Sequence, residues 1–121
     1  ILTNEESAEA IWQNVARGSL LDQGIAKITN IGNRTVNIYG ATLAYKTCDK
    51  LIVKLTLQQY DGGWVNYGTY GDTATNAASM SRSYNVKVAG GYYYRVKAAC
   101  VAQKSGNSES QVPITNGIWI D

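Results

Sequence analysis

From Gly18 to the end of the chain, apolar residues recur at every second position. In "GIAKITNIG" Ala26 and Ile28 share one face, and in "RTVNIYG" Val36 pairs with Ile38. "KLIVKLTLQQY" sets Leu51, Val53, Leu55 and Leu57 against Ile52, Lys54, Thr56 and Gln58. A period of two with one apolar face is the pattern of a half-buried strand. Asp61-Gly62-Gly63 is a turn leading into an aromatic strand, and "SYNVKV" puts Tyr84, Val86 and Val88 on one face. The last strand, "SQVPIT" with "GIWI", is interrupted at Pro113 or at Asn116-Gly117, since proline cannot donate to a ladder. About seven strands separated by turn signals, with no helical period among them, predict an antiparallel β-sandwich over residues 19–121.

The opening segment, residues 1–18, carries a different pattern. In "TNEESAEAIWQNVARG" Thr3 and Glu6 have capping-box spacing, Ala8, Ile11, Trp12 and Val15 fall on one helical stripe, and Gly18 can end a helix. That predicts a short amphipathic helix. A dozen residues make only a marginal helix in water, so this leader either docks its Trp12 face on the body or serves as a linker.

"GYYYRVKAACVAQKSGN" alternates Tyr92, Tyr94, Val96, Ala98 and Cys100 on one face with Tyr93, Arg95, Lys97, Ala99 and Val101 on the other. The first set is expected to line the core. "YYYRVKAACVAQKSGNSES" resembles the penultimate strand, turn and last-strand entry of a fibronectin type III-like or immunoglobulin-like β-sandwich, in which Tyr-x-Val-x-Ala lines the core. Together, "YKTCDKLIVKLTLQQYDGGWV", "GYYYRVKA" and "TNGIWI" are similar to small secreted proteins of uncharacterised function from Gram-positive gut anaerobes. That likeness implies export and a compact all-β domain.

The sandwich resemblance also implies a cysteine pairing. Its strands carrying Cys48 and Cys100 are antiparallel neighbours, so the start of one lies beside the end of the other and a Cys48–Cys100 disulfide is expected. The competing reading is two buried free thiols.

Composition narrows the function classes. The chain has 121 residues, 45% hydrophobic and 17% charged, with 11 Lys and Arg against 9 Asp and Glu for a net charge of +2. That is a single globular domain with no block of basic residues for nucleic acid, and no apolar run reaches the ~20 residues that span a bilayer. The sequence begins Ile1-Leu2-Thr3 without Met, which is expected of a processed product, and low charge with an even cysteine count points to a secreted location. There is no histidine, so neither a Ser-His-Asp nor a Cys-His arrangement can be built. No metal-ligand or phosphate-loop spacing occurs, and an enzyme, a cofactor and a metal are not expected.

What remains is a surface. Outward Tyr93, Arg95 and Lys97 should lie near Ile52, Lys54, Thr56 and Gln58, with Trp64, Tyr67 and Tyr70 on the following strand extending the patch. Aromatics among cations suit recognition of a protein or glycan. The plainer alternative is a face whose Lys, Thr and Gln serve solubility and whose cross-strand pairs stabilise the sheet. The function expected is thus a secreted or cell-surface, non-catalytic binding or adhesion module. The alternative is a structural or accessory scaffold domain of a larger extracellular protein.

Overall fold

The computed structural model describes residues 1–15 and 20–121. The described residues form eight strands and no helix: β1 (Leu2–Thr3), β2 (Ser7–Gln13), β3 (Leu21–Gly32), β4 (Thr35–Tyr60), β5 (Trp64–Lys87), β6 (Tyr92–Lys104), β7 (Asn107–Gln111) and β8 (Gly117–Ile120). All belong to one mixed sheet ordered β1-β8-β6-β4-β3-β2, with β5 also on β4 and β7 also on β6. Every pairing is antiparallel except β1 with β8.

Two strands are far longer than the expected pieces. "RTVNIYG" and "KLIVKLTLQQY" are the two ends of the single strand β4. Its first half pairs with β3 and the second half of β5, and its second half pairs with β6 and the first half of β5. Between the halves the register with β5 jumps from Leu43–Ser79 to Cys48–Ala77. Extra residues on one strand bend it and increase its twist, and here the whole sheet curls over into a half-barrel.

The curl brings the apolar faces of the two halves together. Ala26, Ile28, Val36 and Ile38 from one half, and Leu51, Val53, Leu55, Leu57, Tyr94, Val96 and Ala98 from the other, are fully buried. Each of the Val, Leu and Ile side chains among them contributes about 1.5–3 kcal/mol by leaving water. At Gly40 the halves approach closely, and a Cβ there would lie 2.5 Å from Leu55 and 2.8 Å from Val53. Nearby, the buried Thr42 hydroxyl donates to the Ile52 carbonyl at 2.9 Å, joining the two halves of β4. At the free edge, Tyr70 and Tyr84 meet with ring centroids 5.2 Å apart, and Arg82 donates to Asp72 at 2.7 Å. Both contacts link the first half of β5 to its second half and close the mouth of the curl.

The described part of the leader, residues 1–15, holds no helix. Thr3, expected to cap a helix, instead accepts the Glu5 N–H at 3.2 Å in a local turn. Residues Ser7–Gln13 then pair with β3 from Ser7–Thr29 to Gln13–Gln23. Alternation decides it: Ala8 and Trp12 pack on the core while Glu9, Ile11 and Gln13 are exposed. The expected helix stop at Gly18, and the expected boundary between residues 18 and 19, lie outside the described residues.

The expected disulfide is also absent, and both cysteines are free and buried. β4 and β6 are indeed antiparallel neighbours, but Cys100 stands opposite Val53. Cys48 lies five residues further along β4, about 16 Å away at ~3.3 Å per residue, far beyond the reach of a disulfide. Cys100 instead donates to the Ala41 carbonyl at 3.3 Å and packs under Gly24. Burial pushes its thiol pKa up, against smaller opposing contributions from Thr42 and the Ile25 backbone.

Candidate functional site

The tight turn at Asp61–Gly63, with Gly62 at φ +71° and Asp61 N–H bonded to the Gly63 carbonyl, sets Tyr60 directly opposite Trp64. Tyr60 is also opposite Tyr93, and Tyr93 is opposite Trp119. One row across four strands is therefore Trp119, Tyr93, Tyr60 and Trp64, all on the outer face of the sheet. The rings associate in two edge-on pairs, Tyr60–Trp64 at 5.2 Å and Tyr93–Trp119 at 5.0 Å. Such pairs add about 0.5–1.5 kcal/mol beyond burial. Tyr60 and Trp119 each keep 37% of their surface exposed, so the row remains open to a partner.

The next row holds a polar chain. Arg95 Nε donates to Gln58 Oε1 at 2.8 Å, and Gln58 Nε2 donates to Asn66 Oδ1 at 2.9 Å. The Arg95 guanidinium carbon lies 4.3 Å from the Trp64 ring centroid, a cation–π contact. Burial beneath the indole lowers the Arg95 pKa, although a guanidinium is so strong a base that it keeps its charge. Trp64 can lie this low because position 117 is glycine: a Cβ there would come within 2.7 Å of the indole. Beyond this row, Lys97 stands opposite Thr56, and Lys54 opposite Ala99.

Of the expected site residues, the structure brings Tyr93, Arg95 and Trp64 into contact range of one another's neighbours, and continues the same face with Lys97 and Lys54. Tyr67 and Tyr70 face inward. The register shift between Leu57 and Gln58 leaves Tyr67 as the extra residue of a bulge. Its ring meets Tyr94 edge-on at 5.5 Å, and its hydroxyl accepts from Ala89 N–H. Tyr70, opposite Leu55, belongs to the inward set. Gln58, expected beside Arg95, stands opposite it, whereas sequence reasoning missed Tyr60 and Trp119 as members of the site. Tyr60 had a signal, since residues flanking so short a turn form a cross-strand pair.

Among the described residues no group of three His, Cys, Asp or Glu could hold a metal ion, and no helix is long and apolar enough to cross a membrane. The acids are dispersed: Asp49 accepts from Ser105 N–H, Asp72 is bonded to Arg82, and Glu109 accepts from Leu20 and Leu21 N–H. Residues 2–117 match the family described as Family of unknown function (DUF6147). The chain belongs to this family. No curated protein and no solved structure matches it.

Proposed function

We propose that this DUF6147 member is a non-catalytic binding or adhesion module, secreted or displayed at a cell surface, whose contact surface is the outer face of β4, β5, β6 and β8. The observation that carries the reading is the aromatic row Trp119–Tyr93–Tyr60–Trp64 with Arg95 held on the Trp64 indole. Rigid aromatic area with polar tips, beside a guanidinium, is the composition of interface anchors. The chain has no histidine to act as a base, and three of its carboxylates, Asp49, Asp72 and Glu109, are engaged in structural bonds. A protein or glycan partner fits such a face better than nucleic acid, given a net charge of only +2.

The curled sheet is read as a relative of the fibronectin type III-like sandwich. Supporting this, the Tyr94 hydroxyl, at the start of β6, donates to the Ala89 carbonyl at 2.6 Å, as the corner tyrosine of such sandwiches bonds backbone a few residues upstream. The extracellular location rests on composition and on the likeness to small secreted proteins, because separated thiols take away the cysteine argument for export. Following a tagged protein into medium and cell fractions tests it: retention inside the cell would refute it.

Binding is tested by screening the purified chain on glycan and protein arrays, then comparing Tyr93→Ala and Arg95→Ala with a Thr29→Ala control on the other half of the sheet. Loss of affinity by about tenfold in the first two at an unchanged melting temperature is expected. Equal loss in the control, or none in either test variant, would overturn this choice of face.

A further inference from the structure

The aromatic row lies at one end of a face whose remaining charge has a single sign. Along β4 the outward side chains run Tyr60, Gln58, Thr56, Lys54, Ile52, Lys50, and on β6 Arg95 and Lys97 lie beside them. No outward position of these two strand segments carries Asp or Glu. Among the described residues the one ion pair is Arg82–Asp72, so all four of these cations are without a carboxylate partner. The acids nearest in sequence are engaged elsewhere or lie beyond the row: Asp49 on Ser105 N–H, Asp72 on Arg82, and Asp61 in the turn. An uncompensated strip of positive charge, about 30 Å long at ~3.3 Å per residue, complements an extended anion.

Rings and hydrogen-bonding groups narrow the anion's class. Within each aromatic pair the planes are inclined by 66° and 62°, so the row offers single ring faces and edges, with no parallel slot for a base. A sugar needs only one ring face for its C–H surface. Beside the rings, Asn66 and Thr56 both donate and accept, as vicinal hydroxyls require. A peptide could not add as a strand to the second half of β4, which is paired on both sides within the sheet, and the cations lie on the face of the sheet away from its free β5 edge. We infer that the outer face binds an acidic polysaccharide, with a sugar ring against the Tyr60–Trp64 end and its carboxylates or sulfates along Arg95, Lys97, Lys54 and Lys50. This rests on the reading of that face as the contact surface.

The test is calorimetric titration of the whole chain at low salt with polygalacturonate, alginate and heparin, against neutral dextran, poly-glutamate and oligo(dT). Binding to at least one acidic polysaccharide and none to dextran is expected, with affinity falling about five- to tenfold between low and physiological salt as the cations are screened. Tyr60→Ala and Trp119→Ala should each weaken it about tenfold. The double variant Lys54→Gln/Lys97→Gln should weaken it and flatten the salt dependence, whereas Lys27→Gln/Lys87→Gln, an equal loss of charge on the other half of the sheet, should leave it unchanged. Tighter binding of dextran, poly-glutamate or oligo(dT) through the same aromatics would overturn the acidic-glycan assignment while leaving the face as contact surface. Failure of every acidic polysaccharide to bind would overturn it too. Binding insensitive to both the aromatic and the lysine substitutions would overturn the face itself.

Discussion

Adding one methyl group at Gly40 probes the contact between the two halves of β4. The new Cβ would lie 2.5 Å from Leu55 Cδ2 and 2.8 Å from Val53 Cγ2, both well inside contact distance. Leu55 and Val53 are fully buried, so neither can swing into solvent, and the clash must be taken up by off-rotamer side chains or by a shift of one half of the sheet. Overpacking of this kind costs about 1–3 kcal/mol. Replacing glycine in a strand returns about 0.5–1 kcal/mol through the unfolded chain. Gly40→Ala should therefore destabilise by about 1–2 kcal/mol, which for a chain of this size lowers Tm by about 3–10 °C. Urea denaturation followed by tryptophan fluorescence measures it directly. The decisive variant is Gly40→Ala combined with Leu55→Ala. Alone, Leu55→Ala should cost about 2–5 kcal/mol by opening a cavity. In the double variant the Gly40 methyl occupies that space, so the total should fall short of the sum by about 1–2 kcal/mol. Strict additivity, or a Tm raised by Gly40→Ala, would mean that the halves do not meet at this point.

Denaturing alkylation of protein never exposed to reductant should label two thiols, and native protein should label at most slowly, because Cys48 and Cys100 are both buried; a mass unchanged by denaturing alkylation would contradict the register of β4 with β6. Glu109→Ala should cost about 1–3 kcal/mol by orphaning the Leu20 and Leu21 N–H groups that its carboxylate accepts at 3.0 and 2.9 Å. Glu109→Gln, which retains an acceptor oxygen, should recover most of that loss in the same thermal melts. Gly117→Ala should lift the Trp64 indole from its seat and reduce the near-UV circular dichroism of the aromatic face, with far-UV signal retained; an unchanged near-UV spectrum would refute the seating of Trp64 on position 117.

How far the sequence could be read depended on the range of the interaction that decided each feature. Inward and outward positions within a strand follow from parity alone, so Leu51, Val53, Leu55, Tyr94, Val96 and Ala98 were legible as core, and all are buried. The leader was ambiguous at the same level. Ala8 and Trp12 fit both a helical stripe and an alternating strand, and pairing along β3, invisible to local periodicity, settled it as a strand. For the cysteines, which strands were neighbours could be anticipated from the resemblance, but register could not. A slip by an even number of residues leaves the alternation pattern intact, so parity does not by itself choose the register that sets Cys100 opposite Val53.

The candidate site divides along the same line. Tyr93, Arg95 and Lys97 form a column on one strand, where parity suffices. Tyr60, Tyr93 and Trp119 form a row whose members come from three strands, and a row exists only once two registers are fixed. The bulge after Leu57 then works against parity: it turns Trp64 and Asn66 outward with Tyr60 and Gln58 while sending Tyr67 and Tyr70 to the inner side. One inserted residue thus sorts the aromatics of β5 between two jobs. Tyr70 packs on the core at the free edge, Tyr67 lies against the Tyr94 ring, and Trp64 is delivered to the outer row, where Gly117 leaves room for its ring and Arg95 lies against it. Deleting that extra residue would therefore do more than shorten a strand. By restoring simple alternation along β5 it would exchange the inner and outer sets on one side of the bulge, so aromatic face and closed edge could not both survive, and the two are built by the same irregularity.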